Sequence, residues 1–565
     1  MKPSSIKKMI LRVTILLLSF SAVGLPAYAE EDPPEIVLGE RLFLETRFAQ
    51  FFFGNSTGPN TLLASGDPVL DEVDDPLGIL PPNSPGPFAG FSMNCRSCHL
   101  VDEMLDGDAE AGPFPVNGMR TYADYSRRSR IPAREDGLTN APRNSPPLVG
   151  SGLFNLNHFD AEFDTMADLV KATLTGRNYG WLATESVQAL AHVAAIVRAD
   201  DGSQPFAGDD FVGESYTTAL INPALGSLGL DVTTATDEEI FNALANLIAA
   251  YVNDLGFSQD ENGEFNLSPY DAFLQINGLD RQPAPAESPL EYSRRLLGEI
   301  NALGTPVFVS GDAPGPFKFH DQDFIFEEEE LNGLKIFFSE SGNNGVGNCI
   351  ACHQAPNFSD LNFHNTGTTQ VEYEAIHGPE TFRKVWIPNL LKRLYHHDRY
   401  LPATSQHPNA SGVFKSIPSV SDRHLTDLGL WNIFANPDFP KPQKKIWETL
   451  CKKEIGETFD VYDLIQKPRL ARSVFRNCAI RKLLPSSIAL FKTPGLRDLG
   501  HSAPYMHTGQ FDTLNSVIEF YIESASLSRE WKLENGATEL KDINLTESDV
   551  TPLVKFLKSL NEDYE

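Results

Sequence analysis

Two five-residue stretches carry the clearest chemistry in the chain. Cys95-Arg96-Ser97-Cys98-His99 and Cys349-Ile350-Ala351-Cys352-His353 share the spacing C-x-x-C-H. Two thiols at this separation can form thioethers to one porphyrin edge while the next histidine reaches the iron. A structural zinc site would require four good ligands, and a redox C-x-x-C sits in a thioredoxin-like βαβ setting that this sequence does not show. The pair therefore predicts two covalently bound c-type haems, with His99 and His353 as proximal ligands. The two remaining thiols, Cys451 and Cys478, lie 27 positions apart. In an oxidising compartment they can bridge; the alternative is two separately buried thiols.

What each iron does depends on its other face. A filled sixth position favours electron transfer, and an open one admits peroxide or dioxygen. No histidine lies between His99 and His158. His158 and His192 are candidate ligands and equally surface or core residues, so the first haem reads as five-coordinate or water-bound. For the second, Met506 is the only methionine after His353, in Ala503-Pro504-Tyr505-Met506-His507-Thr508-Gly509. Tyr521, one to two turns into the following helical stretch, offers a phenolate or simply packs on an amphipathic face.

The elements that must position these groups read mainly as helices. Apolar residues recur at helical spacing over 36–47, 165–174, 185–198, 237–252, 331–338, 513–522 and 548–560. The acidic run 327–330 suits the amino end of the helix leading into the second motif. An aromatic cluster, Phe51-Phe52-Phe53, and a Gly/Pro-rich segment over 67–90 precede the first motif. With 565 residues the chain exceeds one small domain, and its formal charge of -30 argues against nucleic acid as the partner. Residues 1–29 join an early basic cluster, an apolar run and Ala27-Tyr28-Ala29, the pattern of a cleaved export signal. A periplasmic or otherwise exported protein without a stable membrane anchor is the expectation.

At these motifs the chain resembles the bacterial di-haem cytochrome c peroxidase and MauG superfamily. The resemblance rests on Leu38-Gly39-Glu40-Arg41-Leu42-Phe43, both C-x-x-C-H sites, Arg143-Asn144-Ser145-Pro146, Ala355-Pro356-Asn357-Phe358-Ser359-Asp360, Phe363-His364-Asn365-Thr366-Gly367, and the segment from Thr493-Pro494-Gly495-Leu496-Arg497 to Gly509. It implies a mainly α fold of two cytochrome c-like haem domains with long loop insertions. Residues 30–320 would hold the peroxidatic haem and 321–565 the electron-transferring haem, with 200–320 and 380–480 longer than the minimal pattern.

The resemblance also implies roles. Classical members place a removable distal histidine after the first motif; its absence here implies an open first haem without reductive activation. Tyr521 falls where MauG has its tyrosine ligand, and Met506 falls at an aromatic turn position. Phe159 stands where the family has an inter-haem tryptophan, with Trp181 a substitute. Glu185 corresponds best to the distal acid, with Glu162 competing. Asn144, Ser502 and Pro504 match the ligands of an inter-domain calcium ion. The expected activity is reduction of hydrogen peroxide, or its use to oxidise a redox donor or protein substrate. An oxygenase using dioxygen on an organic substrate and a simple di-haem electron carrier are the alternatives. An acidic chain suits a small redox protein or protein substrate with a basic docking face.

Overall fold

Short polar side chains start many of the helices. In the computed structural model, which describes residues 32–71, 90–99, 128–203, 214–310, 322–342, 344–456, 459 and 461–562, Thr165, Thr236, Ser268, Ser288 and Thr513 each accept a backbone N–H from the first turn of the helix they precede. The export signal expected over 1–29, most of the Gly/Pro-rich segment and the loop after the first motif lie outside these residues.

The elements that matter here are α1 (Pro34–Phe43), α2 (Met166–Leu174), α3 (Ser186–Ala199), α4 (Asp237–Asp254), α5 (Pro269–Ile276), α6 (Pro289–Ala302), α7 (Glu328–Phe338), α8 (Thr368–His377), α9 (Leu390–Tyr395), α10 (Gln443–Ile455), α11 (Pro468–Asn477), α12 (Leu514–Arg529) and α13 (Glu547–Lys558). Among the described residues the fold is mainly helical. Its one sheet is a two-residue antiparallel pair, β1 (Phe363–His364) and β2 (Phe491–Lys492), with Phe363 opposite Lys492. No described helix is long and apolar enough to cross a membrane.

Two helix crossings organise the parts before and after residue 255. α1 lies on α4, which also receives α2 and α3; α7 lies on α13, which also receives α12. Each crossing needs a glycine. A Cβ on Gly39 would strike the Leu247 carbonyl, and one on Gly333 would strike the Pro552 carbonyl. Helices α5 and α6 bury Tyr270, Phe273, Tyr292 and Leu296 in the same core as Phe337, Phe358 and Phe556. Residues 270–300 thus share the core of the later part, while Leu156 and Ala161 join the core of residues 363–490, and Pro34–Glu565 forms one compact unit.

The segment expected as a long loop insertion over 380–480 is a folded layer instead. Tyr400, Phe414, Trp431, Ile446 and Leu450 form a core with Phe363. Cys451 on α10 and Cys478, just past α11, are joined by a disulfide with Cα atoms 5.2 Å apart.

A duplication runs through the fold. Asn157 bridges Phe163, and Tyr505 bridges Phe511, each pair lying 348 positions from the other. At equivalent places in the two turns, His158 and Met506 have φ 63° and 69°, and Ala161 and Gly509 have 62° and 63°. Phe163-Asp164-Thr165 then opens α2 as Phe511-Asp512-Thr513 opens α12.

Candidate functional site

Both C-x-x-C-H segments close the same turn. The amides of Cys98 and His99 donate to the Cys95 carbonyl at 3.1 and 3.0 Å; those of Cys352 and His353 donate to the Cys349 carbonyl at 3.1 and 2.7 Å. The four motif cysteines form no disulfide. The Nδ1 of His99 is 2.9 Å from the Pro146 carbonyl, and that of His353 is 2.9 Å from the Phe358 carbonyl. A carbonyl only accepts, so each Nδ1 carries the proton and each Nε2 keeps its lone pair. Burial pushes the His99 pKa down to about 4 and lowers that of His353, which favours the neutral ring a metal needs. The donor set fits a c-type haem at each motif: two unbridged thiols and one neutral imidazole oriented through its other nitrogen.

The two sites differ on the helices that follow the duplicated turns. On α12, the phenol of the half-buried Tyr521 is pushed above its ordinary value by desolvation and by the nearby Cys352 and Cys349. The position 348 residues earlier is Thr173 on α2, whose hydroxyl donates to the Leu169 carbonyl at 3.0 Å. Beside the first motif the Tyr179 hydroxyl lies 3.1 Å from the Cys95 sulfur.

Ring contacts and buried ion pairs join the first duplicated turn to residues of the later part of the chain. Phe159 meets His507, its own counterpart in the duplication, edge to face at 6.4 Å, and His507 stacks on Phe491 at 3.6 Å. Contact between equivalent positions is what a pseudo-twofold relation produces. Arg143, one residue before Asn144, binds Asp160 at 2.7 Å and Asp427 at 2.6 Å. Lys415 binds Glu162 at 2.8 Å and Asp160 at 3.3 Å. Burial alone would raise the Glu162 pKa, but the Lys415 ammonium and His158 hold it well below the usual carboxylate range. His507 is driven down to about 3 by burial, against the pull of Asp427, so it stays neutral.

Other expected residues find different work. Glu185 accepts from the Arg134 guanidinium at 2.8 and 3.0 Å and from the Leu182 amide at 2.9 Å. The Arg134 guanidinium beside it lowers its pKa below the usual carboxylate range. His192 donates Nε2 to the Arg47 carbonyl at 2.8 Å, and Trp181 donates to that of Phe48 at 3.2 Å, both in the aromatic cluster around Phe53. His158 pairs with Glu162 at 2.8 Å. Met506 is a left-handed turn residue whose carbonyl accepts from Gly509. Asn144 and Pro504 meet directly, the Asn144 amide donating to the Pro504 carbonyl at 2.6 Å; the Ser502 hydroxyl donates to the Asp498 carbonyl at 3.2 Å. Turning the Asn144 amide over would present its oxygen to a cation.

Lys415 and Asp427 were not anticipated, because their partners lie 253 and 284 positions away. The duplication was legible in Phe-Asp-Thr at 163–165 and 511–513. Two acid–histidine groups carry no metal geometry. Lys415 already fills the group of His158, Asp160 and Glu162. The rings of His397 and His407 stack face to face at 3.6 Å, so their in-plane lone pairs run nearly parallel instead of converging.

No family model matches the chain. It is 25% identical over 267 residues to the cytochrome-c peroxidase IdrP2 of Denitromonas iodatirespirans, covering 47% of this chain and 48% of the relative. It is 40% identical over 82 residues to the methylamine utilization protein MauG of Methylophilus methylotrophus, covering 14% of this chain and 23% of that protein. The chain thus spans about half or less of these relatives. A solved MauG-like protein associated with microbial copper homeostasis aligns over 96% of this chain and 95% of its own, at 16% identity and a TM-score of 0.43.

Proposed function

We propose that the chain is a member of the MauG-like di-haem peroxidase superfamily, to whose members parts of it are similar, and that it is an exported di-haem c-type oxidoreductase that reduces hydrogen peroxide or uses it to oxidise a redox donor or protein. Cys95, Cys98 and His99 would hold one haem in the part over 30–320, and Cys349, Cys352, His353 and Tyr521 the other in the part over 321–565. When bound, such haems supply one-electron transfer and, where an axial side is open, peroxide reduction.

The observation that carries this reading is the asymmetry inside the duplication. One helix brings a tyrosine toward its motif thiols, and its counterpart brings Thr173, whose hydroxyl is spent on its own backbone. On this reading Tyr521 would be a further ligand of the second haem, and this helix would offer the first haem none. The Pro146 and Phe358 carbonyls would fix the two imidazoles, and Phe159, in contact with His507, is the proposed inter-haem residue. Calcium held by Asn144, Ser502 and Pro504 would order that contact. If either Glu185 or Glu162 serves in proton movement, it does so beside a cation, Arg134 or Lys415, that favours its ionised form.

The test begins with haem content and electron paramagnetic resonance of the purified protein, followed by peroxide titration with an artificial dye donor. The expected result is two haems, one high-spin and one low-spin, with dye oxidised in proportion to peroxide. Two low-spin haems indifferent to peroxide would make the chain an electron carrier. Product formation from dioxygen and an organic substrate, with no peroxide response, would make it an oxygenase.

A further inference from the structure

The net charge of -30 conceals a strong asymmetry. Residues 381–482 hold 18 basic and 9 acidic residues, a net of +9 that leaves the rest of the chain at -39. The folded layer that Lys415 and Asp427 tie to the first duplicated turn thus carries a positive sequence charge on an otherwise acidic chain, with Arg393 buried and Asp398 the one exposed carboxylate over 384–399.

We propose that the exposed face of this layer over residues 384–399 docks an acidic protein. Its apolar centre is Trp386, Leu391 and Tyr395, which are 50%, 78% and 87% exposed. Its basic rim is Lys384, Lys392 and Arg399, all exposed, none with a carboxylate partner among the described residues. Arg383, next to this rim, is drawn to Glu534 at 3.3 Å and contributes less.

The patch is mounted rigidly. Trp386 packs on Tyr400 at 5.9 Å, Tyr400 stacks on Phe414 at 6.1 Å, and Phe414 meets the buried Trp431 at 5.2 Å. On the inner side of α9 the fully buried Arg393 donates to the Trp431 and Phe434 carbonyls, so the outer side presents Leu391 and Tyr395 from a fixed base. The Lys392 ammonium sits 4.9 Å above the Trp386 ring. Tryptophan, tyrosine and arginine on a preordered surface are the residue types that dominate protein interfaces, because little side-chain freedom remains to be lost.

Charge selects the occupant. Lysines left unpaired within the chain attract an acidic face and speed its encounter. Screening acts over about 8 Å at physiological salt, so a small acidic protein can cover the patch alone. A nucleic acid or an anionic membrane extends past the patch and meets the strongly acidic remainder. This reverses, for this face, the basic partner expected from the whole-chain charge. That the docked protein is the redox partner rests on the function proposed above; the docking itself does not.

The test uses the full-length holoprotein without peroxide. A small acidic c-type cytochrome, a small basic cytochrome c, anionic lipid vesicles and a single-stranded oligonucleotide are titrated in turn at low and physiological salt. The acidic cytochrome should bind tightest, with affinity falling as salt rises. Lys392→Glu with Arg399→Glu should weaken it about tenfold or more, and Leu391→Asp should weaken it with a smaller change in salt dependence. Dye-coupled peroxide turnover should be retained in all variants, which separates a failure of docking from a failure of the proposed activity. Tighter binding of the basic cytochrome, the vesicles or the oligonucleotide, or affinity for the acidic cytochrome unmoved by charge reversal, would overturn the proposal.

Discussion

The two C-x-x-C-H segments close identical turns, yet their surroundings are built from different materials. The first histidine takes its carbonyl from Pro146, 47 positions away, in a loop tied down by Arg143 to Asp160 and Asp427. The second takes its carbonyl from Phe358, five positions away, whose φ of 52° turns that carbonyl back toward the imidazole. Behind Phe358 stand the rings of Tyr270, Phe337 and Phe556 at 5.5, 5.9 and 6.0 Å. One mount is thus held by ion pairs from distant segments, and the other by its own loop against a wall of rings. The first should fail when one charge is removed; the second should yield gradually as its packing is trimmed.

The sharpest break is Arg143→Met. It strands Asp427 in the interior and leaves Asp160 only the longer contact with Lys415, and we expect a loss of about 4 kcal/mol, whereas Phe358→Leu on the other side should cost about 1 kcal/mol. Guanidinium unfolding of the two variants decides this, and equal losses would erase the contrast. Next comes pH. Burial pushes Glu562, beside the Asp271–Arg497 pair, up to about 8 from 4.5. Its folded form holds the proton more tightly than the unfolded chain. The stability it contributes is therefore complete below about pH 4.5 and is lost as pH rises through about 8. The unfolding midpoint should fall between pH 5 and 9 by an amount worth on the order of 3 kcal/mol, and Glu562→Gln should flatten that slope. The smallest change in stability, and the most specific in readout, is Tyr521→Phe against Tyr179→Phe. The first should alter the low-spin signal and raise that haem's reduction potential, because an anionic oxygen ligand is lost. The second should leave both spectra in place. A Tyr521→Phe protein with an unchanged spectrum would remove the tyrosine from the ligand set.

Much of this was legible before any contact was known. Helices α2, α4, α7 and α13 follow from their apolar spacing and from Thr165, Thr236 and the acids 327–330 at their starts, because capping and amphipathic period are local. Tyr521 was placed by counting from His507. The layer over 380–480 was read as loops because α9 and the segments around Trp431 are too short to show a period. Its basic composition, open to a simple count, was masked by the acidity of the whole.

By itself the sequence determined the two attachment motifs and the mainly helical class, since spacing and residue type survive in any conformation. The tertiary structure alone decided which nitrogen of each histidine is committed and that Glu185 is bound by Arg134. It alone decided that Lys415 and Asp427 tie their layer to the first duplicated turn, and that Trp386, Leu391 and Tyr395 remain outside. Each depends on groups tens to hundreds of positions apart being brought within a few ångströms, and burial, carbonyl anchoring and ion pairing take effect only at that range.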